Sequence, residues 1–103
     1  MYMDYTKFKQ LLNFSNPEEI IQKAKIYFNE DIPIYISSKP TKKYMVENPY
    51  GKMVHFGQMG YEDFTKHKDT KRQQLYLNRT SNIKGKWRNV KYSPNNLSRN
   101  ILW

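Results

Sequence analysis

The sequence predicts a single α+β domain, in which a small antiparallel sheet packs with amino-terminal helices, a basic helix and a short carboxy-terminal helix. Three observations predict this class: helical apolar patterns before residue 31, alternating apolar residues with a hairpin turn between residues 32 and 56, and helix-capping signals further on. The 103 residues suffice for one modest core and are too few for two independent domains.

The amino-terminal third predicts two helices. A helix capped by Asp4 and reaching Phe14 is expected, because apolar residues recur there at helical spacing. These residues are Tyr5, Phe8, Leu11 and Leu12. A second helix begins after Asn16, which is followed by Pro17 at the first helical position and by Glu19 three residues after the cap. Its apolar face, expected in the core, consists of Ile20, Ala24, Tyr27 and Phe28.

The middle of the chain predicts three strands. Ile32, Ile34 and Ile36 alternate with other residues, and Pro33 restricts this segment to an edge strand or a strand start. Residues 43–47 and 52–56 then flank the sequence Asn-Pro-Tyr-Gly at 48–51, which has the residues that a type I turn favours at its first, second and fourth positions. We therefore expect a β-hairpin. Both of its faces carry apolar groups, so the pattern leaves open which face is buried.

The rest of the chain predicts a basic helix, an irregular arm and a short terminal helix. Asp69 caps a helix over residues 70–80, in which Leu75 faces the core. The basic side of this helix is formed by Lys71, Arg72 and Arg79. Residues 81–92 are polar and basic without periodicity, which indicates an irregular arm. Ser93 and Pro94 then form the start signal of a last helix. Its apolar residues, which need a core or a partner surface, are Leu97, Ile101, Leu102 and Trp103.

The charge of the chain is strongly segregated. The formal net charge is +9, yet residues 1–38 carry four basic and five acidic side chains, whereas residues 39–103 carry fourteen basic and four acidic ones. Such segregation favours a polyanionic partner for the carboxy-terminal two thirds. The alternative is that these Lys side chains are merely solvated.

Composition excludes several classes of function. The sequence contains no Cys, which excludes disulfides, thiolate metal sites and Cys nucleophiles. It has no apolar run of the length that a membrane span needs, and residues 1–9 lack a basic segment followed by an apolar one. We therefore expect neither a membrane partner nor a targeting segment.

Three stretches carry a family resemblance. They are the hairpin residues 43–46 and 51–57, the sequence GYEDFTKHKD at 60–69, and the closing LSRNILW at 97–103. Together they resemble a small uncharacterised family of large DNA viruses of eukaryotes, over about residues 42–103. The sequence departs from that family at 78–80, where the family tends to an Arg-His pair, and at Asn100, where it tends to Trp. The resemblance implies a viral protein of the infected host cell, in its cytoplasm or nucleus or packaged in the virion. It implies no reaction.

The basic region has the residue types that nucleic-acid binding requires. Cations neutralise phosphates, and flat side chains stack on unpaired bases. We expect non-catalytic, sequence-tolerant binding by Lys66, Lys68, Lys71, Arg72, Arg79, Lys84, Lys86, Trp87, Arg88, Lys91 and Tyr92. The alternative for Trp87 and Tyr92 is that they fix the arm to the core. No motif for sequence-specific reading is present, and the pattern does not choose between DNA and RNA or between single and double strands.

Two other functions stay open. A structural protein of the virion would dock through the apolar carboxy-terminal end, although an ordinary core helix explains the same residues. A metal-dependent nuclease would need His55 and His67 to meet near Asp63 or Asp69, although each His has a simpler role in its strand or turn.

The hairpin followed by a basic helix superficially resembles the start of the GIY-YIG nucleases. That family needs Gly before its first Tyr, where Lys43 precedes Tyr44 here, and a metal-binding Glu, whereas no Glu follows Asp69. An enzyme is thus the less favoured interpretation, and we expect no catalytic residue, metal or cofactor.

Overall fold

A computed structural model describes residues 5–103, so Asp4, the predicted cap of the first helix, lies outside the described residues. The α+β class is confirmed. In chain order the elements are α1 (Tyr5–Leu11), α2 (Pro17–Phe28), β1 (Tyr35–Ile36), β2 (Lys42–Glu47), β3 (Met53–Gln58), α3 (Phe64–His67), α4 (Thr70–Ser81) and α5 (Pro94–Leu97). A 3-10 turn over Trp87–Asn89 precedes α5, and a π-helical turn over Ser98–Leu102 extends it. Within residues 5–103, every helix is too short or too polar to span a membrane.

Both predicted amino-terminal helices are present, and the sequence pattern predicts the details of α2 better than those of α1. In α2 the Asn16 side chain accepts a hydrogen bond from the Glu19 backbone N–H at 3.4 Å, as the capping signal predicts. Of the apolar residues predicted for α1, Leu11 is buried, whereas Tyr5 and Leu12, which lies in the turn after the helix, are exposed. Lys7 is buried instead, and its ammonium group donates to the carbonyl oxygens of Ser37 and Lys39, each at 2.6 Å.

The three strands form one antiparallel sheet in the order β1-β2-β3. The hairpin register pairs Tyr44 with Phe56, and the Gly51 backbone N–H donates to the Asn48 carbonyl at 3.0 Å, which confirms the predicted turn. The edge strand is shorter than residues 32–36, because only Tyr35–Ile36 pairs with β2. Pro33 has no N–H for a ladder, and it lies in the unpaired segment.

The core lies between α2, the hairpin and the carboxy-terminal helix. Its buried apolar side chains come from the amino-terminal third and from the rest of the chain alike. They are Leu11, Ile20, Ala24, Phe28, Tyr44, Val46, Phe56, Leu97, Ile101 and Leu102. The hairpin therefore buries the face that carries Tyr44, Val46 and Phe56, whereas Met53 is exposed.

The apolar carboxy-terminal end belongs to this core. Ser93 caps α5 by accepting from the Asn96 backbone N–H at 3.2 Å, as predicted. Leu97, Ile101 and Leu102 are buried against α2 and β3. These three side chains therefore serve the core of the domain, and docking of a protein partner through this end stays a prediction.

Helix α4 is capped as predicted, but Leu75 does not face the core. The Asp69 carboxylate accepts from the backbone N–H groups of Lys71 and Arg72 at 3.0 and 3.2 Å. Leu75, predicted to face the core, is 60% exposed, so that prediction is wrong. A short helix that the sequence pattern missed, α3, precedes α4 and is capped by Asp63.

The arm at residues 81–92 is irregular, as predicted, but it is tied to the domain. The Asn96 side chain donates to the carbonyl oxygens of Trp87 and Val90 at 2.6 and 3.0 Å. The Trp87 indole N–H donates to the Ile83 carbonyl at 2.7 Å. The Asn96 contacts hold the arm against α5, and the indole contact fixes the arm internally.

Candidate nucleic-acid interface

A groove of about 750 Å³ lies between α4, the carboxy-terminal end and the hairpin strands. We call it the α4 groove. Its basic lining residues are Lys42, Lys43, Arg72 and Arg79. Its aromatic lining residues are Phe56, Tyr61, Tyr76 and Trp103. Glu62 is the acidic residue among the groove residues. Cations and flat rings thus line one concavity.

One face of α4 supplies a wall of this groove. Arg72, Leu75, Tyr76 and Arg79 are spaced by three, four and seven residues, which places them on the same side of a helix. This spacing also explains the exposure of Leu75, because the face turns to an open groove rather than to a packed core. Of the basic side predicted for α4, Arg72 and Arg79 thus share a face with Tyr76, whereas Lys71 lies outside the groove.

The rings of Tyr76 and Trp103 form the aromatic part of the groove. They are stacked with centroids 4.2 Å apart and planes inclined by 9°. The Gln73 side-chain amide donates to the Trp103 carbonyl at 2.6 Å and ties the end of the chain to α4. His67 lies beside this pair, with its ring centroid 5.1 Å from that of Trp103.

A buried ion pair supports the hairpin side of the groove. The Lys43 ammonium lies 3.0 Å from the Asp63 carboxylate, and the two side chains are 2% and 1% exposed. The same carboxylate accepts from the Thr65 backbone N–H at 3.0 Å and so caps α3. Burial lowers the pKa of Lys43, and the nearby Asp63 carboxylate opposes this shift. The pair joins β2 to the segment that carries Tyr61 and Glu62.

Gly57 lets the carboxy-terminal end approach β3. Its φ is +84°, and a side-chain Cβ at this position would lie 2.8 Å from Cδ1 of Leu102 and 3.1 Å from Cβ of Lys43. Glycine meets both requirements, since it adopts positive φ freely and has no Cβ. The floor of the groove therefore depends on this residue.

The two arginines of the groove make weak contacts that a phosphate can replace. Arg72 forms an ion pair with Glu62 at 3.4 Å, and both side chains are well exposed. Exposed ion pairs contribute only ~0–1 kcal/mol, so a phosphate competes readily for the guanidinium group. Arg79 lies over the Tyr76 ring, 5.5 Å from its centroid.

The other predicted binding residues lie outside the groove. Lys68 forms an ion pair with Glu19 of α2. Lys91 lies 5.4 Å from the ring centroid of Tyr27, and Tyr92 stacks on Phe28 at 4.9 Å. Both residues of the arm's end therefore contact α2. Four further predicted cations, Lys66, Lys71, Lys84 and Lys86, are also exposed outside the groove.

Trp87 and Arg88 contact each other on the arm. The Arg88 guanidinium lies 4.5 Å from the Trp87 ring centroid and donates to the Ser81 carbonyl. Arg99 approaches the same ring at 5.4 Å. Trp87 thus contacts two cations and is half-buried, and Tyr92 packs on the core. The positions of Trp87 and Tyr92 agree with the alternative interpretation, in which these two side chains fix the arm to the core.

His55 and His67 contact different parts of the domain. His55 Nδ1 and the Ser37 hydroxyl are 2.6 Å apart, whereas the His67 ring lies between Phe64 and Trp103. Among residues 5–103, no three His, Asp or Glu side chains gather closely enough to hold a metal ion. The arrangement that the nuclease alternative requires is not formed by these residues.

Sequence reasoning missed Lys42, Tyr61 and Tyr76 as groove residues and assigned Trp103 to protein docking. Tyr76 was detectable, because it lies four residues after Arg72 and three before Arg79 on a predicted helix. Tyr61 comes to the groove from the loop before α3, and Lys42 comes from β2. Only the tertiary fold brings them there.

The protonation of His67 is expected to reduce stability at mildly acidic pH. The Asp69 backbone N–H donates to His67 Nδ1 at 2.9 Å, so the ring is neutral with its proton on Nε2. Burial, and then the Arg72 charge, lower the pKa of His67. The unfolded chain therefore takes up this proton at a higher pH than the folded chain, and stability falls as the pH drops below about 6.5.

Urea unfolding midpoints between pH 7.5 and 5.5 measure this effect. His67→Asn keeps an acceptor for the Asp69 N–H and removes the titration, so its midpoint should fall less than that of the wild type. The pKa of His55 is also lowered, first by burial. The matched control His55→Asn should therefore remove a separate part of the dependence of the urea midpoint on pH. If the urea midpoints of the wild type and of His67→Asn depended equally on pH, protonation of His67 would not be the cause of the loss of stability.

The fold and the groove define a small α+β protein with a groove lined by basic and aromatic side chains. The model of a family of unknown function, DUF5754, matches residues 32–80, and the chain is similar to that family over this segment. The matched residues include the hairpin, Tyr61, Arg72 and Arg79. No curated protein and no solved structure matches the chain.

Proposed function

We propose that this protein binds nucleic acid without catalysis and without sequence preference, through the α4 groove. The observation that carries the proposal is the convergence of Lys42, Arg72 and Arg79 with Tyr61, Tyr76 and Trp103 in one concavity. Proteins that bind nucleic acid without sequence preference use cations to contact phosphates and aromatic rings to stack on bases. The net charge of +9 adds long-range attraction to a polyanion.

Arg72 and Arg79 are proposed to contact phosphates. A guanidinium group offers donors that match phosphate oxygens, and both residues lie on the open face of α4. Glu62 opposes an anion at the same place and pairs with Arg72 in the free protein. The exposed cations of α3 and the arm would add attraction that falls with salt concentration.

A salt titration of binding tests this proposal. Fluorescence anisotropy with a labelled DNA or RNA oligonucleotide should show a log–log salt slope that becomes shallower by about 1.4–1.8 in the double variant Arg72→Ala/Arg79→Ala. Loss of two phosphate contacts corresponds to roughly 25- to 60-fold weaker binding at ~0.1 M salt. No measurable binding by the wild type at ~0.05 M salt would contradict the proposal.

The matched control removes the same charge elsewhere. Lys84→Ala/Lys86→Ala deletes two exposed positive charges from the arm, outside the groove. Its affinity should fall much less than that of the arginine variant. An equal loss in both variants would show that net charge, and not the groove, determines binding. Glu62→Gln should bind roughly fivefold more tightly, because it removes the competing carboxylate.

The resemblance to a viral family supports a viral setting for this ligand. The polyanion would then be the genome or a transcript in the cytoplasm or nucleus of the infected host cell, or packaged DNA in the virion. Detection of the protein in purified particles, and its release by nuclease treatment, would test the packaged form.

A further inference from the structure

Tyr61 is the most exposed aromatic residue of the α4 groove. Its side chain is 70% exposed and follows Gly60 in the loop between β3 and α3. Within the described part of the chain, its ring and hydroxyl make no ring contact or hydrogen bond. A large flat ring that is open to solvent at the edge of a cationic groove is a surface on which a base can stack.

The exposed ring of Tyr61 favours an unpaired strand over a duplex. The groove, of about 750 Å³, lies in the size range of sites that enclose small molecules, so it suits single nucleotides of a strand. In a duplex the base faces are covered by neighbouring bases, so Tyr61 would find only phosphates and sugars. An unpaired strand offers phosphates and base faces together.

The spacing of the arginines fits one strand that runs along α4. Arg72 and Arg79 are seven residues apart, so their Cα atoms are separated by ~10 Å along the helix axis. This separation equals about three nucleotide steps of a stacked strand at ~3.4 Å each. The two guanidinium groups would therefore contact different phosphates of the same strand.

We infer that the α4 groove takes an unpaired DNA or RNA strand, with Arg72 and Arg79 on its phosphates and a base stacked on Tyr61. This inference rests on the proposed function and adds the class of nucleic acid. Glu62 offsets part of the positive charge that Arg72 offers to a phosphate. Salt weakens the ionic contacts and not base stacking, so stacking on Tyr61 should supply the affinity that remains at high salt.

The test compares a labelled 12-nucleotide single strand with the 12-base-pair duplex of the same sequence. The wild type should bind the single strand at least tenfold more tightly. Tyr61→Leu should weaken single-strand binding roughly five- to 150-fold, the range for one lost base stack, and should leave duplex binding nearly unchanged. Tyr61→Phe keeps the ring and should bind as the wild type does. Because Tyr61 is exposed, all three proteins should unfold at the same urea concentration.

Trp103 provides a second readout at the same place. The chain has two Trp residues, so Trp87→Phe leaves Trp103 as the single indole fluorophore. The single strand should change this fluorescence and the duplex should not, because only an unpaired base can enter the groove beside the stacked rings of Tyr76 and Trp103.

The outcomes separate this inference from the proposed function. Equal or tighter binding of the duplex overturns the inference while the proposed function stands. Wild-type affinity in Tyr61→Leu overturns the role of Tyr61. Absence of binding to either probe overturns the proposed function itself.

Discussion

Replacement of Asp63 by Asn should destabilise the domain by about 3–5 kcal/mol, because it leaves the Lys43 ammonium buried without a negative partner. The two groups are 3.0 Å apart, with side chains 2% and 1% exposed, so water cannot replace the lost carboxylate. A domain of this size has a total stability of ~5–15 kcal/mol. The variant should therefore unfold at a much lower urea concentration, or be partly unfolded without denaturant.

A double-mutant cycle isolates the ion pair from the other roles of Asp63. Lys43→Met removes the charge with little change of shape and leaves a carboxylate that still accepts from Thr65, so it should cost less than Asp63→Asn. In the double variant no buried charge is left unpaired. It should therefore be more stable than Asp63→Asn alone, as expected from a Lys43 pKa that burial lowers despite Asp63.

An exposed ion pair supplies the control for this cycle. Lys68→Met breaks the contact between Lys68 and Glu19, whose side chains are both solvent-accessible. This change should alter stability by at most about 1 kcal/mol. A change within 1 kcal/mol for Asp63→Asn, or additive costs in the cycle, would contradict the description of Lys43 and Asp63 as a coupled buried pair.

Local signals in the sequence were sufficient for the caps and the hairpin. Asn16, Asp69 and Ser93 each accept from backbone N–H groups within three residues, so the capping chemistry is complete in a short segment. The Asn48 turn is equally local, since its hydrogen bond closes over four residues. Such elements are predictable because no distant residue is needed to form them.

Contacts between distant segments were not predictable in the same way. Lys43 has an ordinary strand position, and its burial depends on Asp63, twenty residues away. The α4 groove likewise combines a strand, a loop, a helix and the end of the chain. Charge segregation pointed to the part of the chain that contains Arg72 and Arg79, but it did not distinguish these groove residues from cations such as Lys91 that contact α2. The binding role of all these residues stays a prediction.

Leu75 and Ile101 show why apolar spacing alone did not locate the core. Each residue occupies an apolar position of a helix, and the pattern of either helix fits a core face or an open face. The difference is set by what covers the helix: α2 and β3 pack on the carboxy-terminal helix, while the Leu75 face of α4 borders the groove. Sequence spacing defines a face and does not define its neighbour.

Replacement of Ile101 by Ala is expected to cost about 2–5 kcal/mol, whereas the matched replacement of Leu75 by Ala should change stability by no more than about 0.5 kcal/mol. Ile101 is 0% exposed, so the smaller side chain leaves a cavity, and Leu75 is 60% exposed, so its loss leaves none. Ile101→Val, which removes one methylene, should fall between them at about 0.5–1.5 kcal/mol. Urea unfolding at pH 7.5, where His67 is neutral, measures all three.

The same pair of variants separates a core helix from a docking helix. If the carboxy-terminal end served a protein partner and packed loosely on its own domain, Ile101→Ala would unfold at the urea concentration of the wild type. A large loss in Ile101→Ala with an unchanged Leu75→Ala instead requires that Ile101 is part of the folded core. The core position of Ile101 and Leu102 then helps to hold Trp103 against Tyr76 in the α4 groove. Nucleic-acid affinity in Ile101→Ala should therefore decline together with stability, while Leu75→Ala keeps its fold.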